Sequence, residues 1–451
     1  MAGKAAASAL GIALVTSILL VAPGAAQSPQ DQCAAKDGVP FDQRIAACSS
    51  VIDSGSAAPR ERADAFLNRG NASYGKRDYD GAIADYGAAI GLDPDNAVLH
   101  AARGRAYRTK RDYDHAFADF DTAIRLDPNL AAAFGGRGIT NLLKGNDDQA
   151  IADLSEAIRR DPTVAESFDA RGRAYRRKQD YDHAFADFNE AIRLDPKSAP
   201  ARVDRAEEYH RRQDYEHAIA DCDEALRLQP DSTAAVAGRA LAYHGLRQYD
   251  RAIEDYSSAI RLAPTNARLF YLRGTAYHVK NDYDHAIADY DQAIRLDPNR
   301  AETFTRRAWA YEAKHDPSHA MADYDAAIRL QPTAGRYFGR GTLYLQQPAY
   351  DRAIADYGDA IRLEPTAVRL AFRGVAYARA GDLDRAIADY DAALAREPRL
   401  ALALVGRGGV EWQKGEWLAA LIDLAKAKMM GRTDQEGGRS SQEAEKAAPQ
   451  P

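Results

Sequence analysis

Pro94, Pro128, Pro162, Pro196, Pro230, Pro264, Pro298 and Pro332 recur every 34 residues, and Pro365 and Pro398 follow at intervals of 33. A fixed spacing of that length marks one supersecondary unit copied along the chain and stacked on its neighbours. One such unit cannot bury its apolar face alone, so stability comes from stacking and any working surface is spread over several copies. The period therefore points to a binding scaffold before any single residue is considered.

Counted from the residue three places after each proline, eleven copies run from Ala63 to about Gly431. Position 20 is Ala in every copy (Ala82, Ala116, Ala150, on to Ala420), and so is position 27 (Ala89, Ala123, Ala157, on to Ala427). Position 8 is Gly or Ala, as at Gly70, Gly104, Ala206 and Gly274; position 24 is usually aromatic, as at Tyr86, Phe120, Phe188, Tyr256 and Tyr390. Positions 4, 7, 8 and 11 fall on one stripe of a 3.6-residue helix, and positions 20, 24 and 27 on another. Two helices per copy follow. Asp is frequent at position 16 (Asp78, Asp112, Asp180, Asp282), where its carboxylate accepts from the first free N–H groups of the second helix. The proline ends that helix, having no N–H to donate and a ring that clashes with the preceding turn. Small residues let the helix backbones approach, and the aromatic side chains fill the seam. The expected fold class is all-α, an α-solenoid superhelix of about eleven helix-turn-helix units.

The copy AVLHAARGRAYRTKRDYDHAFADFDTAIRLDP carries Gly104, Tyr107, Ala116, Phe120, Ala123 and Pro128 in a register that resembles the tetratricopeptide repeat (TPR), and the resemblance extends over about 370 of the 451 residues. The copies depart from that family at position 7, which is Arg in all eleven, where a leucine is more usual. Position 23 is Asp in all eleven, from Asp85, Asp119 and Asp153 to Asp423. A ladder of Arg–Asp pairs between helices, such as Arg103 with Asp119 or with an Asp next door, accounts for both, with the Arg stems covering apolar surface. Such a pair sets register more than it adds net stability.

The composition, 46% apolar and 28% charged, suits such a fold, and a formal charge of −6 gives no reason to expect nucleic-acid binding. The N-terminus, MAGKAAASALGIALVTSILLVAPGAAQ, has Lys4 ahead of an apolar core from Gly11 to Val21 and a small-residue exit at Gly24-Ala25-Ala26. That is the pattern of a signal peptide over residues 1–26, with cleavage after Ala26 and a periplasmic or secreted mature protein. The alternative is a retained anchor, for which the apolar run is short. Cys33 and Cys48 follow in a segment, residues 27–62, that precedes the regular copies. Export makes a Cys33–Cys48 disulfide the expectation, and closing a loop of that size stabilises by about 3 kcal/mol. Within this segment FDQRIAACSSVI reads as the second helix of a degenerate copy, Ile45 matching Ile83 and Cys48 matching Tyr86, and so as a cap. Cys222 takes the aromatic position of its copy and reads as a buried thiol. The repeats themselves span residues 63–430, and the polar remainder, 431–451, is expected to be disordered. The last second helix carries Leu418, Leu421, Ile422, Leu424, Met429 and Met430 with no further helix to cover them, which suggests self-association through this end.

Positions 2, 5, 9, 12 and 13 of the first helices lie about 140° from the packing stripe. The TPR resemblance implies that this face lines a concave groove that takes protein or peptide partners. Three clusters fall on it. The first is basic: Arg105 and Arg108, then Arg173, Arg176 and Arg177, then Arg211, suited to carboxylates or phosphates. The second is a histidine series at position 12, His210, His244 and His278, readable as a pH-responsive or metal-responsive face; a second series at position 19 (His115, His183, His217, His285, His319) reads as solvent-facing filler. The third is aromatic: Tyr271, Trp309 and Phe338. Asn71 matches one position of the family's carboxylate clamp for chaperone tails, but Leu67, Ala102, Ala132 and Gly136 occupy others, so that activity is not expected. No phosphate loop, HExxH, GxSxG or CxxC occurs. No catalytic residue, cofactor or metal is therefore assigned. A non-catalytic groove binder is the primary reading; a histidine-based sensor and a structural subunit of an envelope assembly are the alternatives.

Overall fold

The computed structural model describes residues 28–35 and 38–429, and no strand occurs among them. The expected signal peptide with its cleavage point, Met430 and the polar tail lie outside the described residues. The described residues form two compact units, one ending at Asp204 and one beginning at Arg205. Each is a run of antiparallel helix pairs, as in Ala97–Thr109 with Tyr113–Leu126, and Ala267–Val279 with Tyr283–Leu296. The chain is thus all-α, an α-solenoid of helix-turn-helix units. No helix among the described residues is long and apolar enough to cross a membrane.

The local signals work by identifiable bonds. Asp112, Asp180, Asp214, Asp282 and Asp316 each cap a second helix, the side chain accepting from the N–H three residues on. Before the cap, the chain turns through a left-handed residue such as Arg111 (φ 63°) or Gly145 (φ 88°). There the Asp112 N–H reaches back to the Tyr107 carbonyl, closing the first helix. At the other end the second helix stops at Leu126, with Asp127 extended (φ −135°) ahead of Pro128. The proline therefore acts chiefly through the residue before it, which its ring bars from the helical region. In the two 33-residue intervals the next helix starts at Ala334 or Ala367, two places after the proline, so the missing residue comes out of the inter-repeat turn.

Between the helices of a pair, Ala82, Ala116, Ala286 and Ala353 are fully buried, and so are Tyr86, Phe188, Tyr290 and Tyr357. The approach is close: a Cβ placed on Gly172 would lie 2.7 Å from Cε1 of Phe188. Position 7 meets position 23 in every one of the eleven copies. Nε and Nη2 of the Arg grip both oxygens of the Asp at 2.6–3.0 Å, from Arg69–Asp85 through Arg103–Asp119 and Arg273–Asp289 to Arg407–Asp423. The partner is thus the Asp of the same copy. Where position 25 carries a polar side chain, the remaining Nη1 ties neighbouring copies together through it, as in Arg137 to Asp121 (2.8 Å), Arg171 to Ser155 (3.1 Å) and Arg273 to Ser257 (2.9 Å). Fork-to-carboxylate geometry of this kind is directional, so it fixes register within a pair and between pairs.

The helices Pro29–Ala34 and Phe41–Asp53 cover the first regular pair, with Cys33 joined to Cys48 and their Cα atoms 4.7 Å apart. Ser49 accepts from Nη1 of Arg69 at 2.9 Å, the bond that position 25 accepts elsewhere. Asp42 pairs with Lys76 as Asp80 pairs with Lys110 one copy later. Phe41–Asp53 therefore docks as a second helix does, preceded only by the short helix Pro29–Ala34.

The position-19 histidines correct the reading of them as filler. His115, His183, His217, His285 and His319 are largely exposed, yet each stacks on the Tyr at position 11 of its copy with ring centroids 4.9–5.2 Å apart. Nδ1 of each also meets the N-cap Asp, as in His183 with Asp180 at 2.8 Å. Arg251 and Arg385 take the same place over Tyr243 and Tyr377. In either form, a side chain laid over the face of the position-11 ring pins the turn between the helices, and with Arg the contact is cation–π.

Candidate functional site

The first helices of successive copies touch one another, Ala97–Thr109 with Ala131–Lys144 and Ala131–Lys144 with Ala165–Arg177. On their shared face in the first unit lies an open cavity of about 410 Å³. Its floor is Ala101, Ala102, Ala131, Ala132, Gly135 and Gly136, and its apolar walls include Leu67, Val98, Ile139 and Val164. The floor is low because the copy beginning at Ala131 carries no bulk at positions 2, 5 and 6. At Gly136 there is no room for any, since a Cβ would fall 2.3 Å from Cε1 of Phe120. Sequence reasoning used Ala132 and Gly136 only to set aside the chaperone-tail clamp; together with Gly135 and Ala131 they make this cavity. The available signal was the small-residue run AAAFGG at the start of that first helix.

Arg105 and Arg108 both line the cavity, on one wall with Asn71. The Arg105 guanidinium lies over the Tyr74 ring at 4.5 Å and donates to Oδ1 of Asn71 at 3.3 Å, and Oδ1 also accepts from the Tyr86 hydroxyl at 2.8 Å. Arg108 is mostly buried, its side chain 14% exposed, and its nearest carboxylate oxygen, on Glu166, is 3.8 Å away. Burial pushes the Arg108 guanidinium below its usual range, against the pull of Glu166.

The other predicted arginines are differently placed. Arg173 pairs with Asp169 and Asp204, Arg176 with Asp204 at 2.7 Å, and Arg177 donates to the Leu142 carbonyl at 2.6 Å and faces Asp147 at 3.2 Å. Burial pushes the Asp169 carboxyl up to about 6, opposed by Arg173 and reinforced by Asp204. This knot of mixed charge lies within the first unit, whereas Arg211, in the second, lies within 4 Å of Glu207 and Glu208. Of the predicted arginines, Arg105 and Arg108 share the lining of one cavity, while Arg173, Arg176 and Arg211 each face carboxylates of their own unit.

In the second unit, His210, His244 and His278 each meet edge-on the Tyr that opens their own second helix: Tyr215, Tyr249 and Tyr283, at 5.2–5.3 Å. Burial pushes all three imidazoles down, with a further push from His210 on His244 and from Arg306 on His278. The Nε2 atoms of His244 and His278 are buried without a hydrogen-bond partner. Among the described residues no three His, Cys, Asp or Glu side chains stand together as a metal site would need. Cys222 is buried and its thiol is pushed up to about 12, chiefly by burial.

The aromatic trio divides. Phe338 packs inward, its ring 5.0 Å from that of Phe372 and 5.5 Å from that of Tyr357. Tyr271 is half-buried beside Tyr290, with the Arg300 guanidinium over its ring at 4.0 Å. Trp309 is 40% exposed, and the Arg306 guanidinium sits 4.7 Å from its ring centre. At the C-terminal end, Trp412, Trp417, Leu418, Leu421, Ile422 and Met429 are all exposed, Leu418 by 75%.

Family models described as tetratricopeptide repeat match residues 63–96, 101–165, 165–198, 199–232, 267–300, 305–368 and 373–432, and one described as TPR repeat matches 248–280. No curated protein matches the chain. Among solved structures, a tetratricopeptide repeat protein from Parabacteroides merdae is similar at 22% identity, over 55% of this chain and 98% of that one, with a TM-score of 0.43. Yeast Tom70 is similar at 16% identity, over 86% of this chain and 97% of its own, with a TM-score of 0.39. YrrB, described as a TPR protein with an unusual peptide-binding site, is similar at 22% identity, over 40% of this chain and 94% of its own, with a TM-score of 0.36.

Proposed function

The chain belongs to the tetratricopeptide repeat family, and on that premise we propose that it is an exported, non-catalytic scaffold that binds protein or peptide partners on its first-helix face. Export rests on the signal-peptide pattern ending at Ala26 and agrees with the paired Cys33 and Cys48, which need an oxidising compartment such as the periplasm. The observation that carries the binding reading is Trp309. A large ring left 40% exposed, braced by Arg306 rather than packed away, is the side-chain type on which interfaces concentrate their energy. A photoreactive residue placed at Trp309 in the native host is expected to give a discrete adduct, while one at His285, on a second helix, gives none. Adducts from His285 alone, or from neither position, sink the reading.

A second reading rests on the C-terminal end. Trp412, Trp417, Leu418, Leu421 and Met429 are all exposed near one end, with the rings of Trp412 and Trp417 4.7 Å apart, and exposed apolar side chains in such number are of the kind covered by association. Sedimentation of the mature chain is expected to show a mass that rises with concentration, and the pair Leu421→Asp with Met429→Asp to remove that rise. A mass independent of concentration in the unmodified chain rejects it.

A further inference from the structure

We propose that the chain forms a closed dimer in which its final helix, residues 417–429, packs antiparallel against the same helix of a second copy. The proposal rests on the self-association reading above and supplies the geometry of the contact. The other way for repeats to join is head to tail, in the register of the internal copies, and both ends are built against it. Internal second helices hold the next copy by two polar hooks. At the first, Asp80, Asp148, Asp250, Asp284 and Asp384 pair with Lys110, Lys178, Lys280, Lys314 and Lys414. At the second, Asp121, Ser155 and Ser257 accept from Arg137, Arg171 and Arg273. In the last copy Leu418 and Ala425 stand at those two places, so this helix offers a further repeat no polar group to grip. At the other end the gripping groups are already engaged, since Arg69 gives Nη1 to Ser49 and Lys76 pairs with Asp42. Joining unlike ends is thus without hooks, and the closed alternative pairs the same surface with itself about a two-fold axis.

The pairing face follows from what the helix already buries. Ala420 and Asp423 are buried against their own copy, with Asp423 held by Arg407. The opposite side of the helix carries Leu418, Leu421, Ile422, Ala425 and Met429, and all five are exposed. Residues 418, 422, 425 and 429 follow one another at the four-three-four spacing of a coiled-coil seam. That spacing reads the same in both directions. An antiparallel second copy therefore sets Leu418 against Met429 and Ile422 against Ala425, a large side chain beside a small one at the centre. Charge selects the direction. Lys426 and Lys428 lie exposed near the C-terminal end of the helix, and Glu416 stands exposed just before its first residue. A parallel pair lays the lysines beside their own counterparts, whereas an antiparallel pair brings Lys428 within about one turn of the second copy's Glu416. A single helix pair about 20 Å long makes a small interface, so the dimer dissociates on dilution.

The test combines sedimentation of the full mature chain with directed disulfide formation. The mass is expected to rise with concentration and to level off at the dimer. Leu418→Cys and Met429→Cys are made separately, in a chain whose Cys33 and Cys48 are joined and whose Cys222 is buried. Mixed and oxidised together, the two variants are expected to crosslink at least tenfold more than either does alone. Leu418→Asp with Ala425→Asp, which returns carboxylates to both hook positions at exposed sites, is expected to leave a monomer, with circular dichroism confirming that the variant folds. Crosslinking that is stronger within one variant than in the mixture overturns the antiparallel arrangement. A mass that climbs past the dimer overturns closure. A dimer that gives no crosslink in the mixture, or that survives the paired Asp substitutions, overturns the contact. Each of these results leaves the self-association reading standing. A chain that stays monomeric at every concentration rejects the reading and the proposal together, and its flotation with phosphatidylethanolamine–phosphatidylglycerol vesicles would assign the apolar helix to a lipid surface instead.

Discussion

Asp289→Ala is expected to destabilise its repeat by about 3 kcal/mol, because it strands a charge that the fold has already half buried. Arg273 now gives Nε and Nη2 to Asp289 at 2.8 and 2.7 Å and Nη1 to Ser257 at 2.9 Å, with its side chain only 21% exposed. Without the carboxylate the guanidinium keeps its stem in the helix seam and loses its main partner. Removing both charges is expected to do less harm than removing one. Arg273→Met with Asp289→Leu leaves no unpaired charge and restores apolar contact, so it should recover at least half of the loss. Repeat arrays open locally, so amide hydrogen exchange of Ala267–Val279 and Tyr283–Leu296 is the suitable measurement. A single substitution costing less than about 0.5 kcal/mol would show the ladder to be energetically idle. A double variant as unstable as the single one would show that the pair contributes attraction rather than register.

Tyr256→Ala is expected to cost about 3–5 kcal/mol, the usual loss for deleting a buried ring. The more diagnostic change at that site is Tyr256→Phe, which is expected to stabilise by about 1 kcal/mol. Tyr256 is fully buried, its hydroxyl has no hydrogen-bond partner, and burial drives its phenol well above the usual range. Tyr86, at the same position of the first copy, is equally buried but donates to Oδ1 of Asn71 at 2.8 Å. Tyr86→Phe should therefore destabilise, by about 1 kcal/mol, and also loosen the anchor of Arg105. Opposite signs at two equivalent positions, read by the same exchange measurement, would establish that partner supply and not burial sets the value of the hydroxyl. Equal signs would refute that.

The parts of the fold that were legible in the sequence are those that a copy settles within itself. Arg103 finds Asp119 sixteen residues on, and the same pairing is written eleven times, so repetition alone exposes it. Asp112 caps its helix through the N–H of His115, three residues away. The position-19 histidines read as solvent-facing filler in the sequence because their partners lie on both sides of the turn. Tyr107 sits eight residues before His115, on the other helix of the pair, and helical periodicity gives no reason to stack the two.

The candidate site was legible only in outline. Arg105 and Arg173 occupy the same position two copies apart and look alike in the sequence. One opens onto a cavity, while the other is held by Asp169 and Asp204. Phe338 and Trp309 likewise share a face by count, yet Phe372 covers the first and the second stays exposed.

The sequence by itself determined the repeat, its two helices, their turns and the pairing of position 7 with position 23, because each depends on contacts within about 34 residues that every copy repeats. Only the tertiary structure decided which groove side chains are free to meet a partner. That depends on what the next copy places opposite them, and those residues differ from copy to copy: Glu166 stands 3.8 Å from Arg108, while Asp204 closes on Arg176 at 2.7 Å. Charge and exposure at these positions are properties of neighbouring helices taken together, and no single copy encodes them.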